Sequence, residues 1–168
     1  MTSEPVRPVI NIADLPLRDG GNGAAFQARI ASFGSKIGSK GIGVMMYVVA
    51  PGQKAFPFHA HHQIHELFFI LEGEGTYRFG DAHYAVKAGD VCAAPTGGAE
   101  VAHQLINTGA SELKYLGFST MSDTEVCEYP DSEKFAVFSR FNWSNPAAGG
   151  VRYVGRMANS LNYFDGEE

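Results

Sequence analysis

Glycine and proline punctuate this chain about every eight to twelve residues. Between them lie short runs rich in β-branched and aromatic residues. Such spacing leaves no room for long helices and predicts an all-β barrel or sandwich. The runs "AAFQARIASFG" and "GIGVMMYVVAPG" read as two strands joined around "GSKIGSKG". "ELFFILEGEG" reads as a strand ended by a glycine turn, with "TYRFG" as its partner. "GDAHYAV", "AGDVCAAP", "VAHQLINTG" and "LKYLGFST" supply four more, and "EVCEY" and "FAVFSRFNW" extend the sheet. "DGGNG" (19–23) reads as a loop, and "GRMANSLNYF" as a short helix near the end.

Two of these strands do not alternate apolar with polar residues, as a strand with one wet face should. In "ELFFIL" Phe68 and Ile70 lie on one face, and Leu67, Phe69 and Leu71 on the other. "VMMYVV" (44–49) behaves in the same way. Both faces are therefore expected to be covered. A closed barrel buries only its inside, so the N-terminal strands or a second subunit must cover the outside, and a homodimer is expected.

The 168 residues suit one domain, and a 45% hydrophobic content can fill a core. Thirteen Lys and Arg against eighteen Asp and Glu give a net charge of −5. The basic residues form no run, which argues against nucleic acid and anionic membrane as partners. There is no apolar leader and no stretch near the ~20 residues of a membrane span. Cys92 and Cys127 make no disulfide framework and read as buried thiols of a reducing compartment. The expected location is cytoplasmic.

Four of the six histidines crowd into "HAHHQIH" (59–65). On a strand His59 and His61 point the same way, and His62 the opposite way. Glu66 follows His61 by five residues, enough for a tight turn into an antiparallel neighbour. Two imidazoles and a carboxylate converging in a water-poor cavity make a divalent-metal site. His103, in "VAHQLIN", is the available fourth ligand. His62 and His65 face away from this set, His83 sits in an exposed turn, and Asn107 reads as a turn residue.

"PGQKAFPFHAHHQIHELFFILEG" resembles the first motif of the cupin family, through Gly52, His59, His61, Glu66 and Gly73. Six residues separate Gly52 from His59, where five are usual. "GDVCAAPTGGAEVAHQLIN" resembles the second motif, through Gly89, Pro95, Gly97, His103 and Asn107. Five residues stand between Gly97 and His103, where two are typical. The resemblance implies a double-stranded β-helix, or jelly-roll, barrel. It implies three His and one Glu holding one divalent transition metal (Zn, Mn, Fe or Ni), with coordination positions open to substrate. The barrel core is placed at residues 41–120, with an N-terminal strand extension over 1–40 and a C-terminal extension over 121–168.

A metal site of this kind suits an enzyme acting on a small oxygenated metabolite. Isomerase-type Lewis-acid chemistry on a sugar phosphate, keto acid or hydroxy acid is one expectation. It needs a base, and Glu100, in the lengthened loop before His103, is the candidate catalytic carboxylate. Tyr47, Tyr77 and Arg78 are the other polar groups on barrel strands. No Lys/Arg cluster beside the motifs marks a phosphate site. A metal-dependent dioxygenase is the alternative, suited by the apolar lining from Phe56, Phe58, Phe68 and Ile70. A non-catalytic small-molecule-binding protein is the third.

Overall fold

A computed structural model describes residues 6–141 and 145–167. Within them lie β1 (Arg18–Asn22), β2 (Phe26–Ser32), β3 (Ile42–Val49), β4 (Ala60–His61), β5 (Glu66–Glu72), β6 (Glu74–Phe79) and β7 (Ala82–Lys87). They continue as β8 (Val91–Ala94), β9 (His103–Ile106), β10 (Leu113–Thr120), β11 (Thr124–Tyr129), β12 (Lys134–Ser139) and β13 (Val151–Gly155). The only helical pieces among the described residues are 3-10 turns of three residues each. No helix there is long and apolar enough to cross a membrane.

The strands form a six-stranded sheet ordered β1-β2-β3-β10-β5-β8, a three-stranded sheet β7-β6-β9 and a four-stranded sheet β13-β12-β11-β4. Every paired strand runs antiparallel to its neighbours. This is the jelly roll expected from the sequence. One pairing differs. The segment "TYRFG" does not pair with β5, whose two edges are filled by β10 and β8. It belongs to β6, which crosses to the facing sheet and pairs with β7 and β9. Gly73 makes that crossing at φ +81°, and a Cβ there would overlap the Glu112 carbonyl, so only glycine fits.

The barrel interior is filled by inward residues of the facing sheets. Val49, Ile70 and Leu113 are wholly buried, with Tyr47, Phe68, Tyr77, Leu105 and Tyr115 packed around them. Each full burial of such an aliphatic side chain contributes about 1.5–3 kcal/mol before entropy is counted. A second cluster covers the outer face of β3: Leu15, Phe33, Val44, Met46 and Val48, with Leu116 and Phe118 of β10 at its margin. The N-terminal extension thus buries the outside of β3, and "VMMYVV" is double-faced because its own chain covers it.

The same expectation does not hold for "ELFFIL" within one chain. Leu67 is 48% exposed and Phe69 37%. The covering layer stops short of the β5–β8 edge, where Val91 is also exposed.

Two further readings are corrected. "DGGNG" is not a loop but most of β1, paired residue by residue with β2 from Arg18↔Ile30 to Asn22↔Phe26. Glycine has little strand propensity, but pairing with a strong neighbour overrides it at a sheet edge. Gly21 adopts φ +137° there, with the Phe26 carbonyl where a Cβ would stand. "GRMANSLNYF" yields a single 3-10 turn, Met157–Asn159. Met157 and Leu161 are exposed, so an apolar helix face would have nothing to pack on.

Candidate metal centre

Three short strands, with the residue just before one of them, bring the predicted ligands together. β4 carries His61, and His59 lies just before it in an isolated bridge to His103. Backbone bonds between His59 and His103 run both ways, at 3.1 and 2.8 Å, and lock the first motif to the start of β9. Glu66 opens β5. The sequence positions are far apart, yet one carboxylate oxygen gathers them. Glu66 Oε2 lies 3.1 Å from His103 Nε2, 3.4 Å from His61 Nε2 and 4.0 Å from His59 Nε2. His59, His61 and Glu66 each offer a ligand atom within 4.8 Å of the others, and His103 reaches the group through Glu66.

The donor set fits a divalent transition ion. All three imidazoles turn Nε2 to a common point, and three nitrogens with one carboxylate oxygen suit Zn, Mn, Fe or Ni. On His59 the opposite nitrogen, Nδ1, donates to the Pro57 carbonyl at 2.8 Å. That bond fixes the proton on Nδ1 and leaves the Nε2 lone pair free. The His103 side chain is 2% exposed, whereas His59 and His61 keep 14% and Glu66 17%. The centre is therefore reached from the His59, His61 and Glu66 side.

The charges respond to this crowding. Burial, with repulsion from His103 and His61, pushes His59 down to about 3, so it stays neutral as a ligand must. Burial alone would raise Glu66. Hydrogen bonds from His103 and His61, and their charge, instead hold it far below the usual carboxylate range. Burial alone would lower His61. The Cys127 sulfur and the nearby carboxylates of Glu125 and Glu66 outweigh it and raise that imidazole.

The surroundings are aromatic. Tyr129 lies nearly parallel to His59, with centroids 6.2 Å apart, and Phe56 stands near the same ring at 6.4 Å. Phe68 and Tyr77 line the inner side of His103. Tyr47 stacks on Tyr115 at 4.8 Å, and its hydroxyl points at Met45 Sδ. The Tyr77 hydroxyl donates to the Ala93 carbonyl, and Arg78 is committed to Asp131 by two bonds of 2.7 and 2.9 Å while lying over the Phe58 ring.

Glu100 does not join the ligands. It sits on the exposed turn Ala99–Val101, and its Oε1 accepts from the Gly98 N–H at 3.0 Å. Hydrogen bonds from its own N–H and that of Gly98 lower its pKa, the opposite of what a general base working near neutral pH needs. The extra residues before His103 form this turn on the outside.

His62 also points outward, as its strand parity requires, and meets Glu128 at 2.7 Å on the surface. His65 and His83 are exposed. Asn107 is wholly buried. Its amide donates to the Val49 and Ser111 carbonyls, and its oxygen accepts from Gly109, so it ties the β9–β10 turn to β3. One face of β11 carries Glu125, Cys127 and Tyr129, which no sequence motif marks as part of the site. Their spacing of two was the available signal, since it puts all three on one side of a strand. Cys127 is directly opposite His61 in the β4–β11 ladder.

Comparison with known proteins agrees with this geometry. Residues 45–118 match the Cupin domain family. That segment is a cupin domain. A curated relative, the oxalate-binding protein of Thermotoga maritima, is 33% identical over 66 residues, 39% of this chain and 52% of its own length. The chain thus spans about half the length of the curated relative it matches.

Among solved structures, a provisionally assigned sugar phosphate isomerase from Acidithiobacillus ferrooxidans superposes with a TM-score of 0.76 at 20% identity, covering 93% of this chain and 96% of its own. A sugar phosphate isomerase of the cupin superfamily from Silicibacter pomeroyi gives 0.72 at 19%, covering 94% and 98%. A Thermotoga maritima protein predicted to be an oxalate decarboxylase gives 0.59 at 24%, covering 68% and 99%. At these identities the structures establish the cupin fold.

Proposed function

We propose that this cupin is a metal-dependent enzyme acting on a small keto or hydroxy acid, with His59, His61, Glu66 and His103 as ligands. The observation that carries the reading is the convergence of three Nε2 atoms on Glu66 Oε2, where His59, His61 and Glu66 stay partly exposed. A divalent ion held by these four residues would supply Lewis acidity, as isomerase-type chemistry at a carbonyl requires.

The chain's own residues shape what can enter. Phe56 and Tyr129 flank His59 and give that side an aromatic rim. Lys134 lies 5.0 Å over the Tyr129 ring and brings positive charge toward a carboxylate-bearing substrate. A phosphate ester is less well served, because Arg78 and Arg29 are paired with Asp131 and Glu112. The oxalate of the curated relative's name is likewise a small molecule able to offer two oxygens.

The test is solvent exchange. Metal-loaded protein in deuterated water should introduce deuterium next to the carbonyl of a turned-over keto acid, and Glu66→Ala should abolish it. A second reading, a metal-dependent dioxygenase, is favoured by the aromatic mouth of Phe56 and Tyr129. Oxygen uptake with aromatic substrates, without deuterium exchange, would select it. Tight ligand binding with neither signal would leave a non-catalytic binding protein.

The reading includes a homodimer joined through the outer face of β5 and β8, where Leu67, Phe69 and Val91 are uncovered.

A further inference from the structure

Behind the ligands, β11 presents two further polar side chains to His61. Cys127 Sγ lies 3.3 Å from His61 Nδ1, and Glu125 Oε2 lies 3.8 Å from the same nitrogen. Glu125 is only 5% exposed. Its two oxygens are used very differently. Oε1 accepts from the backbone N–H groups of His62 and Gln63, at 2.9 and 3.2 Å. Oε2 is buried with no hydrogen-bond partner.

A buried carboxylate oxygen without a partner costs free energy, and such an orphan calls for a physical reason. A metal-ligating imidazole provides one. When Nε2 is committed to an ion, the ring proton sits on Nδ1 and in most metal sites is donated to an acceptor, although His103 Nδ1 is buried here without one. On His59 the acceptor is the Pro57 carbonyl. On His61 the two candidates are the thiol sulfur and the carboxylate. Sulfur is a weak acceptor, whereas an ionised carboxylate forms a charge-assisted bond. The 3.8 Å gap must close by about 1 Å to reach hydrogen-bonding distance.

We infer that Glu125 is the positioning residue of the metal centre: its Oε2 accepts the Nδ1 proton of His61 and thereby holds the imidazole with Nε2 turned to the ion. The inference rests on the metal reading above. It makes β11, which lies beyond the barrel motifs, a working part of the site. It also explains the anchoring of Oε1. The same carboxylate that orients His61 fastens the loop leaving it, so ring and backbone are set together.

The test uses the full chain loaded with Co²⁺, whose paramagnetism shifts the exchangeable N–H of each ligating imidazole to a separate NMR resonance. Glu125→Gln retains an oxygen for the His62 and Gln63 amides but loses the charge. It should weaken Co²⁺ affinity, measured by chelator competition, by about 10- to 100-fold. It should also speed solvent exchange of the His61 N–H and leave the His59 N–H unchanged. Cys127→Ala, which keeps the carboxylate, should hold both affinity and the His61 resonance.

Glu125→Gln with unaltered affinity and resonances would overturn the inference and leave the metal site standing. So would a loss in Cys127→Ala as large as that in Glu125→Gln, which would transfer the role to the thiol. A wild-type chain that takes up no Co²⁺ would overturn the metal reading and this inference together.

Discussion

Glu66 is where the charges of the centre are settled. Its Oε2 is the one atom that approaches all three imidazoles. Replacing it removes one of the four proposed ligands and leaves buried imidazoles without their counter-charge. Glu66→Ala and His61→Ala are both expected to reduce bound metal from near-stoichiometric to trace amounts while the β-sheet circular dichroism persists. His62→Ala is the internal control. That ring faces solvent and pairs with Glu128, an exposed contact worth at most about 1 kcal/mol. Metal content should not change. Equal loss in His62→Ala and His61→Ala would mean that strand parity does not select the ligands.

Parity is why these residues were readable at all. Side chains two apart on a strand share a face, so the "HAH" of His59 and His61 already declares a pair, and the turn to Glu66 is short. Glu125 could not be found in that way. It becomes part of the site only through pairing between β4 and β11, across more than sixty residues of chain. Nor could the position of Glu100 be foreseen. A three-residue insertion before a ligand says that a loop is longer, not which way it folds.

At the scale of elements, the glycine turns do two different jobs, and sequence shows only that a turn exists. The turn at Gly73 carries the chain from one sheet to the facing one, so neighbours in sequence do not pair. β5 was legible as a strand, whereas its partners depended on edges already occupied by β8 and β10. Gly73→Ala tests this position. It combines a positive φ with an overlap against the Glu112 carbonyl. The expected loss is more than about 1 kcal/mol, read as a lower denaturant midpoint at unchanged m. An unaltered midpoint would show that the crossing tolerates a side chain. The edge strand β1 shows the converse: a glycine-rich run becomes a strand because β2 supplies every partner.

For the whole molecule, the absence of alternation in "ELFFIL" and "VMMYVV" carried more information than any single motif. Both runs asked for cover on two sides. The N-terminal extension gives it to β3 alone and leaves Leu67, Phe69 and Val91 open. A second copy on the β5–β8 face would complete the layer. Light scattering should therefore give a mass near twice 18.1 kDa, and Phe69→Lys should halve it with the metal retained. A monomeric wild type would rule this face out as the contact.

The proposed function depends on the ion. Elemental analysis of untagged protein, purified without chelator and then reconstituted in turn with Fe, Mn, Ni and Zn, addresses it directly. The prediction is close to one equivalent of a single transition metal per chain, lost on substitution of Glu66. A chain that holds none of the four above trace level would contradict the site and the function built on it.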